Sequence, residues 1–226
     1  MRQTLKSSKT AIRVTLKNAD ERFRLPLKRW VHLQMVHRRY GERAPKQGGV
    51  IWVDPLAICG HMEPAGWRFL RAKTGFDGGA LAGGNWDEKY TRWVSFTSID
   101  PFRSCYDHWV EGKGWDETQL YQSYVGQLRR GERCRFQSLD ELAAKYSRLD
   151  GIFERIREEK RMSTRWDDLV RVSISRGGRL IWGPDGRHRI CIAICTGMKE
   201  MPARLGFVHI EGIEALQSLR SRDVAI

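Results

Sequence analysis

The chain has 226 residues, 41% hydrophobic and 30% charged, a formal net charge of +13 and five cysteines. That is enough apolar material for a real core, expected as one domain with extensions, and no uncharged apolar run approaches the ~20 residues that cross a bilayer. The basic N-terminus has neither an apolar segment nor a small-residue cleavage site, so it does not read as a secretory signal and a cytoplasmic protein is expected.

The charge is uneven. Residues 1–46 hold 13 Lys and Arg against Asp20, Glu21 and Glu42, so most of the excess lies in an N-terminal arm. Such an arm is drawn to polyanions, whether nucleic acid, an acidic protein or an anionic lipid surface. Leu25 to Tyr40 reads as an amphipathic helix, with Pro26 in its first turn and Arg24, Lys28, Arg29, Arg38 and Arg39 as candidate polyanion contacts. Either the helix lies on a membrane or phosphate backbone, or it docks on the domain and leaves a solvated basic face.

Residues 47–210 form the expected domain. Gly48–Ile58 gives a glycine turn, a strand over Val50–Val53 and a proline-marked exit. Gly78–Asp87, GGALAGGNWD, reads as a glycine-rich loop. A helical insertion is expected at about 98–165. Asp100-Pro101 opens a helix through Trp109, and Asp116 or Thr118 caps another through Leu128. Ser138-Leu-Asp-Glu141 is a capping box before Leu142–Arg148, and a further helix covers Asp150–Arg161. Leu169–Ser175 alternates as a strand, Arg176-Gly177-Gly178 turns, and Arg179–Trp182 returns. A helix from Arg187 to Thr196 stops at Gly197 and leads to a strand over Ala203–Val208. Residues 211–226 remain as a tail or helix. The fold class expected is α+β, a small mixed sheet with an inserted helical subdomain.

The stretch GPDGRHRICIAICTG, residues 183–197, carries the chemistry. Helix N-termini present unpaired amides and a positive dipole end, which suits a phosphate where glycine lets the backbone come close. Gly183 and Gly186 supply that approach. Asp185 sits in the turn and either joins the site or stabilises the turn itself. Arg187 and Arg189 leave the first turn on different sides, so one can hold phosphate bidentately while the other meets a neighbouring acid or a second phosphate. His188 adds a neutral or charged donor. The plainer alternative is a common Asp-Gly turn decorated with arginine.

Residues Arg171–Val208 resemble the C-terminal half of the ParB/sulfiredoxin fold: a hairpin, a GxHR-type box at a helix start, an alanine on that helix, then a glycine and a strand. Val53–Ile58 resembles the entry strand of that fold, and Gly83-Gly-Asn-Trp-Asp87 resembles the GGDWD loop of poorly characterised ParB-like proteins with a helical insertion. The resemblance implies nucleotide switching, sulfinic acid reduction or phosphorylation of free serine. Sulfiredoxin chemistry requires a cysteine where Arg187 stands, and the usual partition-protein layout requires a helix-turn-helix beyond the box, where residues 210–226 are too few.

Two functions follow. One is a nucleotide-binding phosphotransferase or hydrolase that uses ATP, ADP or CTP with Mg²⁺; it needs a carboxylate near the box. Asp87 is the first candidate and Glu63 the second, with Asp54 weaker and Trp86 a stacking platform for the base. The other is a non-catalytic binder of nucleic acid or another polyanion through the box and the arm. Trp109, Trp166 and Trp182 read as core. Cys191 and Cys195, four apart, share a helix face and read as buried apolar groups.

Overall fold

The computed structural model describes residues 24–219. The fold is α+β around a mixed seven-stranded sheet. Strands β1 (Val50–Val53), β2 (Ile58–Met62), β3 (Ala80–Ala82), β4 (Thr91–Trp93), β5 (Val170–Ile174), β6 (Leu180–Trp182) and β7 (Met201–His209) run in the order β1-β7-β5-β6-β2-β4. The short β3 pairs with the C-terminal half of β7, Ala80 to Ala82 lying parallel to Phe207 to His209. β5 lies parallel to β7 and β2 parallel to β6, while β5 and β6 form the antiparallel hairpin turned by residues 175–179.

Side chains alternate along β5 and β6 and build two cores, and an extra residue of β7 opposite Val172–Ile174 moves Phe207 to the face away from Leu205. Val170, Val172, Ile174, Leu180, Trp182, Ala203 and Leu205 face one side, where Ile190, Cys191, Ile192 and Ala193 of helix α7 (Arg187–Cys195) cover them. Ile181 and Phe207 face the other, against Trp67 and Leu70 of α2 (Pro64–Thr74) and Trp86 of α3 (Trp86–Lys89). Helix α1 covers residues 24–40, the expected helix with Arg24 added, and joins both cores through Leu33, Val36 and Tyr40. Helix α8 (Ile213–Ser218) closes the described chain.

The insertion between β4 and β5 holds α4 (Asp100–Trp109), α5 (Gln119–Arg129) and α6 (Leu139–Glu159). Its own cluster of Phe136, Leu142, Tyr146 and Leu149 is tied to the main core through Trp109 and Trp115. Both indole nitrogens donate to Asp150 at 2.9 Å, and the Trp109 ring stacks on Phe153 at 4.6 Å.

Several expectations change. The two helices expected across Leu142–Arg161 are one helix of 21 residues, since Gly151 faces open space and does not break it. Ser138 Oγ does accept the Glu141 amide, at 3.1 Å. The loop at 78–87 contains β3. Trp166 is not core; it is 39% exposed, with the Arg204 guanidinium over its ring.

The most consequential change concerns Asp87 and Trp86. Asp87 is 1% exposed and is occupied by Arg176 of the β5–β6 turn, whose Nη2 donates to Oδ1 at 2.8 Å and whose backbone N donates to Oδ2 at 2.9 Å. Arg176 also reaches the Gly84 carbonyl at 3.2 Å, and His209 Nε2 lies 2.7 Å from the same oxygen. Burial alone would raise the Asp87 pKa, but the hydrogen bonds from Arg176 overcome it and hold the carboxyl below its ordinary value. This clamp joins α3 to the sheet. Trp86, 2% exposed, packs beside Ile181 and Phe207 and donates its indole N–H to the Ala82 carbonyl at 3.1 Å.

Arg176→Ala leaves a buried carboxylate without its cation. The variant is expected to unfold roughly 5–10 °C below the wild type, and calorimetry should show Glu88→Gln, which removes only an exposed partner of Arg176, shifting the midpoint far less.

Candidate functional site

The box follows β6, and the sheet topology decides what surrounds it. Gly183 donates its amide to the Arg171 carbonyl at 2.8 Å, holding the turn against the start of β5. A Cβ on Gly183 would lie 3.1 Å from the Arg171 Cβ and 3.3 Å from the Trp67 ring. On Gly186 it would lie 2.9 Å from Val170 Cγ2, and Gly186 also has φ +89. The two glycines therefore admit β5 and Trp67, not a ligand's backbone approach, which corrects the reason expected for them. Asp185 is exposed and makes no hydrogen bond with a described residue; its charge acts on Arg204.

Gly186 caps α7 without any side-chain acceptor, so the head of the helix keeps its positive end open. Arg189 donates to Asp168 Oδ1 at 2.7 Å and holds that carboxyl below its ordinary pKa through this hydrogen bond. Arg187 has no carboxylate partner among the described residues; its guanidinium is 3.4 Å from the Tyr124 hydroxyl of α5. The two arginines thus divide their tasks, one structural and one open.

The insertion adds further cations. Lys145 of α6 is depressed below its ordinary pKa, first by burial and then by Arg148, Arg135 and Arg189. His188 is pushed down to about 3, first by burial and then by Arg187, Lys145 and Arg135. No carboxylate offsets either group. His61 at the end of β2 is also depressed, by burial first, then by Arg92 and Arg187, with Glu63 acting in the opposite direction. Its ring lies 4.8 Å from that of Trp182.

The two candidate carboxylates separate here. β2 runs parallel to β6 with His61 opposite Trp182, so Glu63 at the head of α2 emerges at the box end of the sheet and is exposed. Asp87 is bound to Arg176 at the far end of the β5–β6 hairpin, about 15 Å or more away given the rise of a five-residue strand. The catalytic assignment of Asp87 and the stacking role of Trp86 are therefore withdrawn. Asp54 caps the short turn after β1, its Oδ1 accepting the Leu56 amide at 2.8 Å.

Lys28 Nζ of the arm helix donates to the Ala72 carbonyl of α2, while the turn of the box meets α2 at Trp67, roughly 7.5 Å earlier along the helix axis. Arg29 donates to Gln47 at 2.6 Å and Arg39 lies over the Tyr40 ring. Residues 1–23 of the arm lie outside those described. Arg135, Lys145 and Tyr124, which complete the cluster, were not evident beforehand; the run RRGERCR at 129–135 was the available hint.

Among the described residues no group of three or more His, Cys, Asp or Glu could hold a metal ion, and no helix is long and apolar enough to cross a membrane. Cys191 is fully buried and its thiol pKa is raised, above all by burial; that of Cys195 is pushed up to about 12 by burial first, in keeping with an apolar role.

Comparison with family models, with curated proteins and with solved structures finds no match.

His188 supplies a check on the geometry of the site. Its folded pKa lies below the unfolded value of 6.5, so the unfolded chain binds the extra proton and stability falls as the pH drops from that value towards 3. Between pH 7 and pH 5 the group is expected to remove about 2 kcal/mol. Urea titrations at the two pH values should show His188→Gln losing that much less than the wild type.

Proposed function

We propose that the protein binds a phosphate-bearing ligand, a nucleotide in the first instance, at the head of α7. The observation that carries this reading is Arg187, half-buried at an uncapped helix start, with no described carboxylate beside it and with Arg135, Lys145 and His188 around it. Arg187, Arg135 and Lys145 are like charges held together in partly desolvated surroundings, and an anion relieves their repulsion. A phosphate gives Arg187 a bidentate partner and gives the α7 amides an acceptor. Tyr124 and His61 offer further polar groups on the rim.

The resemblance to the ParB/sulfiredoxin fold accords with this reading, since it too assigns the box to nucleotide phosphates. The order of elements, a hairpin, the box, α7 and a strand parallel to the first strand of the hairpin, is compatible with it. Catalysis, where it occurs, falls to Glu63 in place of Asp87. Were Mg²⁺ to accompany the phosphates, Glu63 would be the carboxylate at this end of the sheet to hold it, and the ion would neutralise charge during phosphoryl transfer.

Titration calorimetry with ATP, ADP, CTP and GTP, each with and without Mg²⁺, tests the proposal. Arg187→Ala is expected to lose at least about tenfold in affinity, while Arg189→Ala loses less affinity and more thermal stability because it frees Asp168. Binding to none of the four, or equal binding by the Arg187 variant, overturns the cradle. Glu63→Gln should retain binding and lose any hydrolysis or transfer.

A further inference from the structure

Helix α1 is held tightly by one face. Gly75 lets its backbone come so close that a Cβ there would lie 2.7 Å from the Arg29 nitrogen and 2.8 Å from the Leu25 carbonyl. The His32 ring meets Phe76 edge-on at 5.5 Å, and Leu33, Val36 and Tyr40 pack into the cores. Arg43, just beyond the helix, pairs with Glu214 of α8. An amphipathic helix docked in this way should present polar groups to water.

Its outer face instead carries four large apolar groups around the exposed Gln34. Leu27, Trp30, Val31 and Met35, at the i, i+3, i+4, i+8 spacing of a single stripe, are 62%, 60%, 40% and 67% exposed. Arg24 and Arg38 extend the stripe at its two ends. Residues 24–40 contain five Lys and Arg and no acid, and residues 1–23 add six more against two acids.

We infer that this face binds an anionic lipid surface, with α1 lying in the plane of the interface. The apolar stripe enters the headgroup boundary, Trp30 sits at the level where indole rings gather, and the surrounding arginines meet lipid phosphates and carboxylates. The charge pattern selects this occupant. A nucleic acid would bring its phosphates onto the uncharged centre of the stripe, and a second copy would bring two acid-free cationic helices face to face. Lipid alone offers an apolar layer beneath an anionic one.

The test is co-sedimentation of the full chain with vesicles of phosphatidylcholine containing about one-third phosphatidylserine, compared with phosphatidylcholine alone. The wild type is expected to bind the mixed vesicles, less as salt rises, and to bind the neutral ones weakly. Trp30→Gln/Met35→Gln keeps every charge and alters only exposed side chains, with circular dichroism as the check on folding; it should lose at least about tenfold in affinity. Arg24→Gln/Arg38→Gln should lose the preference for the anionic vesicles. Brominated lipid should quench wild-type tryptophan fluorescence and quench Trp30→Phe less. No binding to the mixed vesicles overturns the inference, as does equal binding by the Trp30/Met35 variant. So does a wild-type dimer in sedimentation velocity that the same variant abolishes.

Discussion

The close approach of the α7 head to β5 governs the molecule's chemistry. Gly183 and Gly186 carry no side chain, so the turn can rest on Val170 and Arg171 with a left-handed residue at the cap. Had either position needed a Cβ, the turn would have to lift off the strand, and α7 could not lay Ile190, Ile192 and Ala193 over β5 and β7. That contact fixes the first turn of α7, and with it the directions in which Arg187 and Arg189 leave. The glycines thus act on the site through packing.

The two ends of the β5–β6 hairpin treat their charges differently. At the turn end Arg176 is satisfied by Asp87, Glu88 and the Gly84 carbonyl, and the result is a fastening. At the box end Arg189 is satisfied by Asp168, yet Arg187 faces Tyr124 and a group of other cations. Buried or half-buried charge without a partner is costly. A fold with 27 acidic residues had the means to place one there, so the contrast between the two ends is what gives the open cation its meaning.

Much of the C-terminal third was legible because its signals are local. The alternation of β5, the Gly177-Gly178 turn, the cap at Gly186 and the stop at Gly197 all act within a few residues. In the stretch 58–74, Pro64 at the start of α2 and Gly75 with φ +88 at its end are ordinary boundary signals, yet no clear apolar period links them. Gly60 hid β2, being required there because a Cβ would come within 2.9 Å of Thr91 and Trp93. Gly151 divided α6 on paper at a place where the helix bears its cost. Asp87 could not be placed at all from sequence: a glycine-rich loop says that something approaches closely, and only the sheet order shows that it is β7 and the Arg176 turn.

The insertion is best understood as part of the site. The box alone brings Arg187, His188 and the α7 amides, a constellation that a basic turn would also show. Tyr124 comes from α5, Lys145 and Arg148 from α6, and Arg135 from the link between them. These groups reach the box because Trp109 and Trp115 anchor the insertion to the main core through Asp150. On the proposed function, a ligand that draws Arg187 and Lys145 together would also bind α6 to α7. A shift of the insertion about the Trp109 and Trp115 contacts would then change the number of cations that ligand meets, coupling the placement of the three helices to the occupancy of the turn.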